Sequence, residues 1–220
     1  MQLFVVFFRG KAYNIDMKTC YIIGAGDFVP PAFQKNPGDL TIAADGGYRY
    51  LSEYGIVPDL VVGDFDSLGY CPEATEICRL PLEKDLTDTA AAVEIGRERG
   101  YRRFVLYAVT GGRLDHTVAN LTLLAQMAER GEDAMIVMPE GEIYALKDTT
   151  AEFERNDVHT VSVFAEGVAQ GVTLKGLKYP LTDATLPRSP LGVSNEPTAK
   201  RFSVTVKKGV LLVFLLRKKG

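Results

Sequence analysis

Two short acidic segments carry the strongest chemical signal in the chain. Asp64 and Asp66 lie in Pro58-Asp59-Leu60-Val61-Val62-Gly63-Asp64-Phe65-Asp66-Ser67, directly after an apolar run. Two carboxylates one residue apart, just past a strand, can converge on one ion if the chain bends, and Gly63 lets it bend. Mg²⁺ asks for this chemistry: hard oxygen ligands, one or two of them protein carboxylates, the rest phosphate and water. Taken alone, such a pair is more often a solvated turn. The second segment, Lys84-Asp85-Leu86-Thr87-Asp88, shifts the balance. It puts two more acids and a lysine where a helix begins, and a helix start attracts anions through its free N–H groups. Asp88 can add a third carboxylate, and Lys84 can reach a phosphate. The plainer role for Thr87 and Asp88 is to cap the helix.

A third segment, Thr110-Gly111-Gly112-Arg113-Leu114-Asp115-His116, follows another apolar run. Paired glycines allow close approach to phosphate, and the Arg113 fork matches phosphate oxygens. Asp115 and His116 can orient a substrate or hold a metal through water, and Asn120 can line the same cleft. Asp45-Gly46-Gly47 can meet a ribose, a base or a phosphate, or be a plain turn. Gly24-Ala25-Gly26 is half of a dinucleotide fingerprint, with Val29 where the third glycine belongs. His159 has no motif around it and is read as structural.

These residues need elements that bring them together. Apolar, β-rich runs at 19–23, 40–44, 60–62, 104–109 and 134–138 each end at, or just before, a turn that most often holds Gly or Asp. Helices are expected at 48–54, 87–99 and 117–129, the last with Val118, Leu121, Leu124 and Ala125 on one face. Alternating strand and helix predicts an α/β fold with an open, mostly parallel sheet that binds ligands at the carboxyl ends of its strands. After about Pro139 the texture changes. Strand-like runs at 142–146, 160–164, 171–174, 202–206 and 210–216 follow without helices, separated by Gly, Pro and Asp. They predict a smaller, mainly antiparallel β domain. Lys207-Lys208-Gly209 reads as a hairpin turn before the last strand. The division expected is 1–16 as an added arm or upstream start, 17–139 as the α/β domain and 140–220 as the β domain.

The totals remove several classes. Of 220 residues, 46% are hydrophobic and 24% charged, which argues against a disordered or collagen-like chain. The formal net charge of −3 predicts no nucleic-acid or anionic-membrane partner. No apolar run approaches the ~20 residues that span a bilayer. The three cysteines, Cys20, Cys71 and Cys78, offer neither a disulfide framework nor a zinc clip, which favours a reducing, cytoplasmic setting.

Taken in order, ADGGYRYL at 44–51, PDLVVGDFDSL at 58–68, EKDLTDTAAA at 83–92, TGGRLDHTVANL at 110–121 and GVSNE at 192–196 resemble thiamine pyrophosphokinase (thiamine diphosphokinase) of the bacterial type. The resemblance runs from about Met17 to the C-terminus. It implies an α/β nucleotide-binding domain followed by a β-sandwich, a homodimer with the thiamine site across the interface, and synthesis of thiamine diphosphate from thiamine and ATP with release of AMP. By resemblance Asp64, Asp66 and Asp88 hold Mg²⁺. Arg113 and Asp115, with Lys84 and Asp85, handle the triphosphate and the transfer, and Ser194 and Asn195 recognise thiamine. The chain has no Trp to stack on the thiamine pyrimidine, as animal members do. Phe202 is one aromatic that can take that place. Rival readings are a diphosphokinase acting on a pterin alcohol, a non-catalytic nucleotide-binding module, a Mg²⁺ phosphohydrolase and, most distantly, an NAD-linked oxidoreductase.

Overall fold

Apolar runs that end in glycine or aspartate build a parallel sheet in the first half of the chain. The computed structural model describes residues 7–9, 17–30, 35–63, 76–79 and 86–218. In chain order the elements are β1 (Phe7–Arg9), β2 (Thr19–Ile23), β3 (Leu40–Ala44), α1 (Gly47–Glu53), β4 (Leu60–Gly63), β5 (Ile77–Arg79), α2 (Asp88–Glu98) and β6 (Arg103–Tyr107). They continue with α3 (Leu114–Glu129), β7 (Asp133–Met138), β8 (Gly141–Lys147), β9 (Thr150–Glu154), β10 (Val158–Lys175), β11 (Leu181–Pro187), β12 (Arg201–Thr205) and β13 (Lys208–Arg217). The chain divides into two compact units. One is Met17–Leu123 with Ile136–Pro139, and the other is Leu124–Met135 and Glu140–Gly220 together with Met1–Asp16.

In the first unit β6, β2, β3, β4 and β5 lie side by side in that order, all parallel. Every residue of β2, β3 and β4 is buried. That is why these strands read as continuous apolar runs rather than alternating ones: a parallel sheet is covered on both faces. α1 packs on β2 and β3, and α2 packs on β2, β3 and β4. From β2 the chain steps outward through β3, β4 and β5, then returns to β6 on the other side of β2. The carboxyl ends of β2 and β6 are therefore the point where the strand order reverses, and an open α/β sheet forms its binding crevice there.

Two expectations are corrected in this unit. α3 begins at Leu114, three residues before the expected start, so Asp115 and His116 sit in its first turn. The Arg113 carbonyl accepts from the Thr117 amide at 3.1 Å, so the helical ladder is already running there. Val118 is 55% exposed and does not share the buried face with Leu124 and Ala125.

The second unit is antiparallel. β8, β13 and the first part of β10 form one sheet, and β1, β9, β12, the last part of β10 and β11 form the other. β10 is one strand of 18 residues, not the two shorter ones expected from its glycine-broken pattern. Its pairing with β13 shifts between Glu166 and Gln170, flanked by Gly167 and Gly171 at φ +82° and +67°. The glycines supply the left-handed backbone that lets β10 serve both sheets. The expected hairpin at Lys207-Lys208-Gly209 is also corrected: β12 pairs with β9 and β10, whereas β13 pairs with β8 and β10. Strands β12 and β13 flank different parts of β10, so they cannot be each other's hairpin partner. Between the sheets Phe153 stacks on Phe202 at 5.3 Å, among Leu146, Val161 and Val213. Residues 7–9 lie beside β9, with Phe8 opposite Ala151.

Candidate active site

A cleft of about 220 Å³ opens at the reversal point of the parallel sheet, lined by residues of the first unit alone. Three strand-to-loop turns shape it. After β2, the Gly24 and Gly26 amides donate to the Tyr107 and Ala108 carbonyls at 2.8 and 2.6 Å, and the Asp27 amide donates to the Thr110 carbonyl at 2.7 Å. A methyl group on Gly26 would stand 2.2 Å from the Thr110 carbonyl oxygen, so no larger residue fits. After β3, Asp45 adopts φ +48° while its amide donates to the Val62 carbonyl of β4 at 2.7 Å. After β6, Ala108 adopts φ +51° although fully buried. Left-handed backbone at non-glycine residues costs about 1–2 kcal/mol each. Two of them lie on one cleft, held by the bonds just named.

Helices supply the polar side chains. Thr87 caps α2, its hydroxyl oxygen accepting from the Ala90 amide at 3.2 Å, and Asp88 is the first helical residue. Thr87, Asp88 and Asp45 all line the cleft. Gly112 and Arg113, which lead into α3, and His116 in its first turn also line the cleft. Asn120 is buried, and its amide donates to the Val109 carbonyl at 2.7 Å, which ties the loop after β6 to the helix. The Arg113 guanidinium donates twice to the Asp115 carboxylate, at 2.6 and 3.2 Å. That pairing holds the Asp115 carboxyl below its ordinary range and raises Arg113. Asp115 is not among the residues lining the cleft, but it holds Arg113, which is; Gly46 is the N-cap position of α1.

Asp64, Asp66, Lys84 and Asp85 lie outside the described residues. The described part of β4 ends at Gly63, one residue before Asp64, with the Gly63 Cβ direction 3.2 Å from the Asp45 Cα. Among the described residues that line the cleft, Asp45 and Asp88 offer carboxylate oxygen, His116 offers an imidazole and none offers a thiol, a donor set that a hard divalent cation can use. Among the described residues no three His, Cys, Asp or Glu side chains assemble as a metal site.

Ser194 and Asn195 lie in the second unit. Asn195 is buried, and its backbone exchanges two hydrogen bonds with Val161 of β10 at 2.8 and 2.9 Å. Its side chain accepts from the amides of Tyr179 and Glu196 at 3.0 and 2.9 Å and donates to the Tyr179 carbonyl at 2.8 Å. Ser194 stands at φ +61°, its amide donating to the Ser162 hydroxyl at 3.0 Å. Phe202 is corrected as a stacking candidate: at 2% exposure it is core. Tyr179, missed in the sequence, is 61% exposed and is held at its backbone by Asn195.

An open α/β sheet with glycine turns at its reversal point, in one chain with an antiparallel β unit, fits the class of nucleotide-dependent transferases. Residues 34–138 match the family model described as thiamin pyrophosphokinase, catalytic domain. Residues 140–211 match thiamin pyrophosphokinase, vitamin B1 binding domain. The thiamine pyrophosphokinase of Bacillus subtilis (strain 168) is 27% identical over 210 residues, spanning 90% of this chain and 98% of that protein. The crystal structure of thiamine pyrophosphokinase from Bacillus subtilis superposes with a TM-score of 0.81 at 25% identity, covering 92% of this chain and 100% of that one. That of Geobacillus thermodenitrificans gives 0.79 at 25% identity, covering 92% and 99%. The chain belongs to the thiamin pyrophosphokinase family. It is an enzyme, and its substrates are thiamine and ATP.

Proposed function

We propose that the cleft binds the triphosphate of ATP and that the hydroxyl oxygen of thiamine attacks the β-phosphorus. The bond from that phosphorus to the oxygen bridging to the α-phosphorus breaks, and AMP leaves with the bridging oxygen. The products are thiamine diphosphate and AMP, and the alcohol proton passes to a carboxylate, Asp66 or Asp88. The observation that carries this reading is the convergence of Asp45, Asp88, Arg113 and two glycine turns at the point where the sheet order reverses. Such chemistry asks a protein for positioning and charge neutralisation more than for a nucleophile.

In this reading Asp64, Asp66 and Asp88 hold Mg²⁺, which when bound offsets negative charge on the phosphate oxygens. Arg113 and Lys84 face phosphate, with Asp115 orienting the Arg113 fork and Asp85 supporting Lys84. Thr87 and the start of α2 add N–H donors, Gly112 lets phosphate approach the backbone, and His116 and Asp45 with Gly46 face the rest of the nucleotide. Ser194 and Asn195 recognise thiamine, and Tyr179, exposed and pinned by Asn195, stacks on one of its rings. The catalytic domain is 17–139 and the thiamine domain 140–220. The enzyme works as a homodimer with its thiamine site at the interface, in the cytoplasm. Light scattering tests the dimer.

The residue assignment is tested by Asp64→Ala, Asp66→Ala and Asp88→Asn. Each should lower thiamine-dependent AMP formation by about 100-fold or more, the scale of removing one electrostatic partner of a transition state. Unchanged circular dichroism must accompany the loss. Near-normal turnover in any one variant removes that residue from the metal site.

A further inference from the structure

The turn after β2 uses its polar groups unevenly. The amides of Gly24, Gly26 and Asp27 are taken by the carbonyls of Tyr107, Ala108 and Thr110. The Ala25 amide has no partner among the described residues, and Ala25 is exposed on the cleft. An N–H left over between bonded neighbours is the donor such a turn offers to an anion. Its aim depends on the peptides that follow it. The peptide joining Gly26 to Asp27 is gripped at both ends: its N–H donates to the Thr110 carbonyl, and its carbonyl accepts from the Tyr50 hydroxyl at 2.9 Å.

Tyr50 is itself fixed. Its ring stacks on Phe28 with centroids 4.5 Å apart and planes 5° from parallel, and the Arg49 guanidinium lies 5.7 Å from its centroid. Tyr54 adds a tilted contact to Phe28 at 5.5 Å. α1 therefore reaches over to the neighbouring turn through one hydroxyl carried on a braced ring. Neither Tyr50 nor Phe28 lines the cleft.

From this arrangement we infer that Tyr50 is a positioning residue for ATP, acting through the Gly26 carbonyl. The inference rests on the reading of the cleft as the triphosphate site. Gly26 has no side chain to resist rotation of the peptide that follows it. Without the hydroxyl, that peptide keeps only the Asp27 N–H bond to the Thr110 carbonyl, so its carbonyl can tilt toward the phosphates, where its negative end repels them and disturbs the Ala25 donor.

Tyr50→Phe removes the hydroxyl and keeps the stack on Phe28. The KM for ATP should rise about 2- to 10-fold, the equivalent of one neutral hydrogen bond. The KM for thiamine should stay unchanged and kcat should stay within about twofold. A merely structural role would lower the melting temperature or the active fraction and leave the KM for ATP alone; that result overturns the inference, as does an equal rise in both KM values. Arg113→Ala, measured in parallel, separates the two layers of the argument. If it raises the KM for ATP while Tyr50→Phe does not, Tyr50 has no positioning role and the cleft reading stands. If neither variant changes it, both fall.

Discussion

Asn195 is the residue whose removal the second unit should register most sharply. Its side chain makes three hydrogen bonds, two accepted and one donated, that join Tyr179 and Glu196 to the segment beside β10. At about 0.5–1.5 kcal/mol each, the three are worth roughly 1.5–4.5 kcal/mol before relaxation. Tyr179 and Glu196 are exposed residues, so water can partly replace what they lose, and the expected cost of Asn195→Ala is about 1–3 kcal/mol. Asn195→Asp keeps both acceptor bonds and turns the third into an oxygen–oxygen contact, so it should fall between wild type and alanine. The backbone bridge to Val161 survives in both variants. Urea unfolding gives the stability, and thiamine-dependent AMP formation gives the thiamine KM. That KM should rise along the same series, while the KM for ATP should not move. An alanine variant that unfolds at the wild-type midpoint with an unchanged thiamine KM refutes the reasoning.

Three further outcomes follow from the geometry. Gly26→Ala should disrupt the turn after β2, because its methyl meets the Thr110 oxygen at 2.2 Å and the Ala108 oxygen at 2.9 Å; the check is loss of ATP-dependent turnover with a lowered melting temperature. Thr87→Ala removes the cap of α2 and should cost about 1 kcal/mol in denaturant unfolding, with Thr87→Ser retaining most of it. Glu142 is buried against Arg217, and burial pushes its carboxyl above the ordinary range despite that cation. A folded-state value above the unfolded one means the stability it contributes is fully present below the unfolded carboxylate value. That stability is lost as pH rises through the folded value. Glu142→Gln should therefore flatten the stability–pH curve over that window, read as the urea midpoint at successive pH values; an unchanged slope rejects the assignment.

The parallel half of the fold was easier to read than the antiparallel half. Strands β2, β3 and β4 announced themselves because a parallel sheet buries both faces, and their terminal glycines and aspartates marked the turns. The half-fingerprint Gly24-Ala25-Gly26 looked weak because Val29 stands where the third glycine belongs; in the structure its glycines serve close packing on the loop after β6 instead. The start of α3 was placed too late, since Gly111 and Gly112 hide the first turn that Leu114 begins. Tertiary pairing decides the second unit, and local pattern does not report it. A strand that bends between two sheets carries Gly167 and Gly171, which in sequence read as its end. β11 was not anticipated, because its residues are mostly exposed and show no buried alternation. Phe202 looked available only because sequence cannot tell an inward aromatic from an outward one; its alternation with Val204 places it in the core.

The most direct measurement is AMP and thiamine diphosphate formation from ATP, with thiamine and Mg²⁺ each present or withheld. AMP and thiamine diphosphate should form in equal amounts, and only when all three components are present. The account is contradicted by AMP or phosphate release without thiamine at the full rate, or by undiminished turnover after divalent ions are chelated.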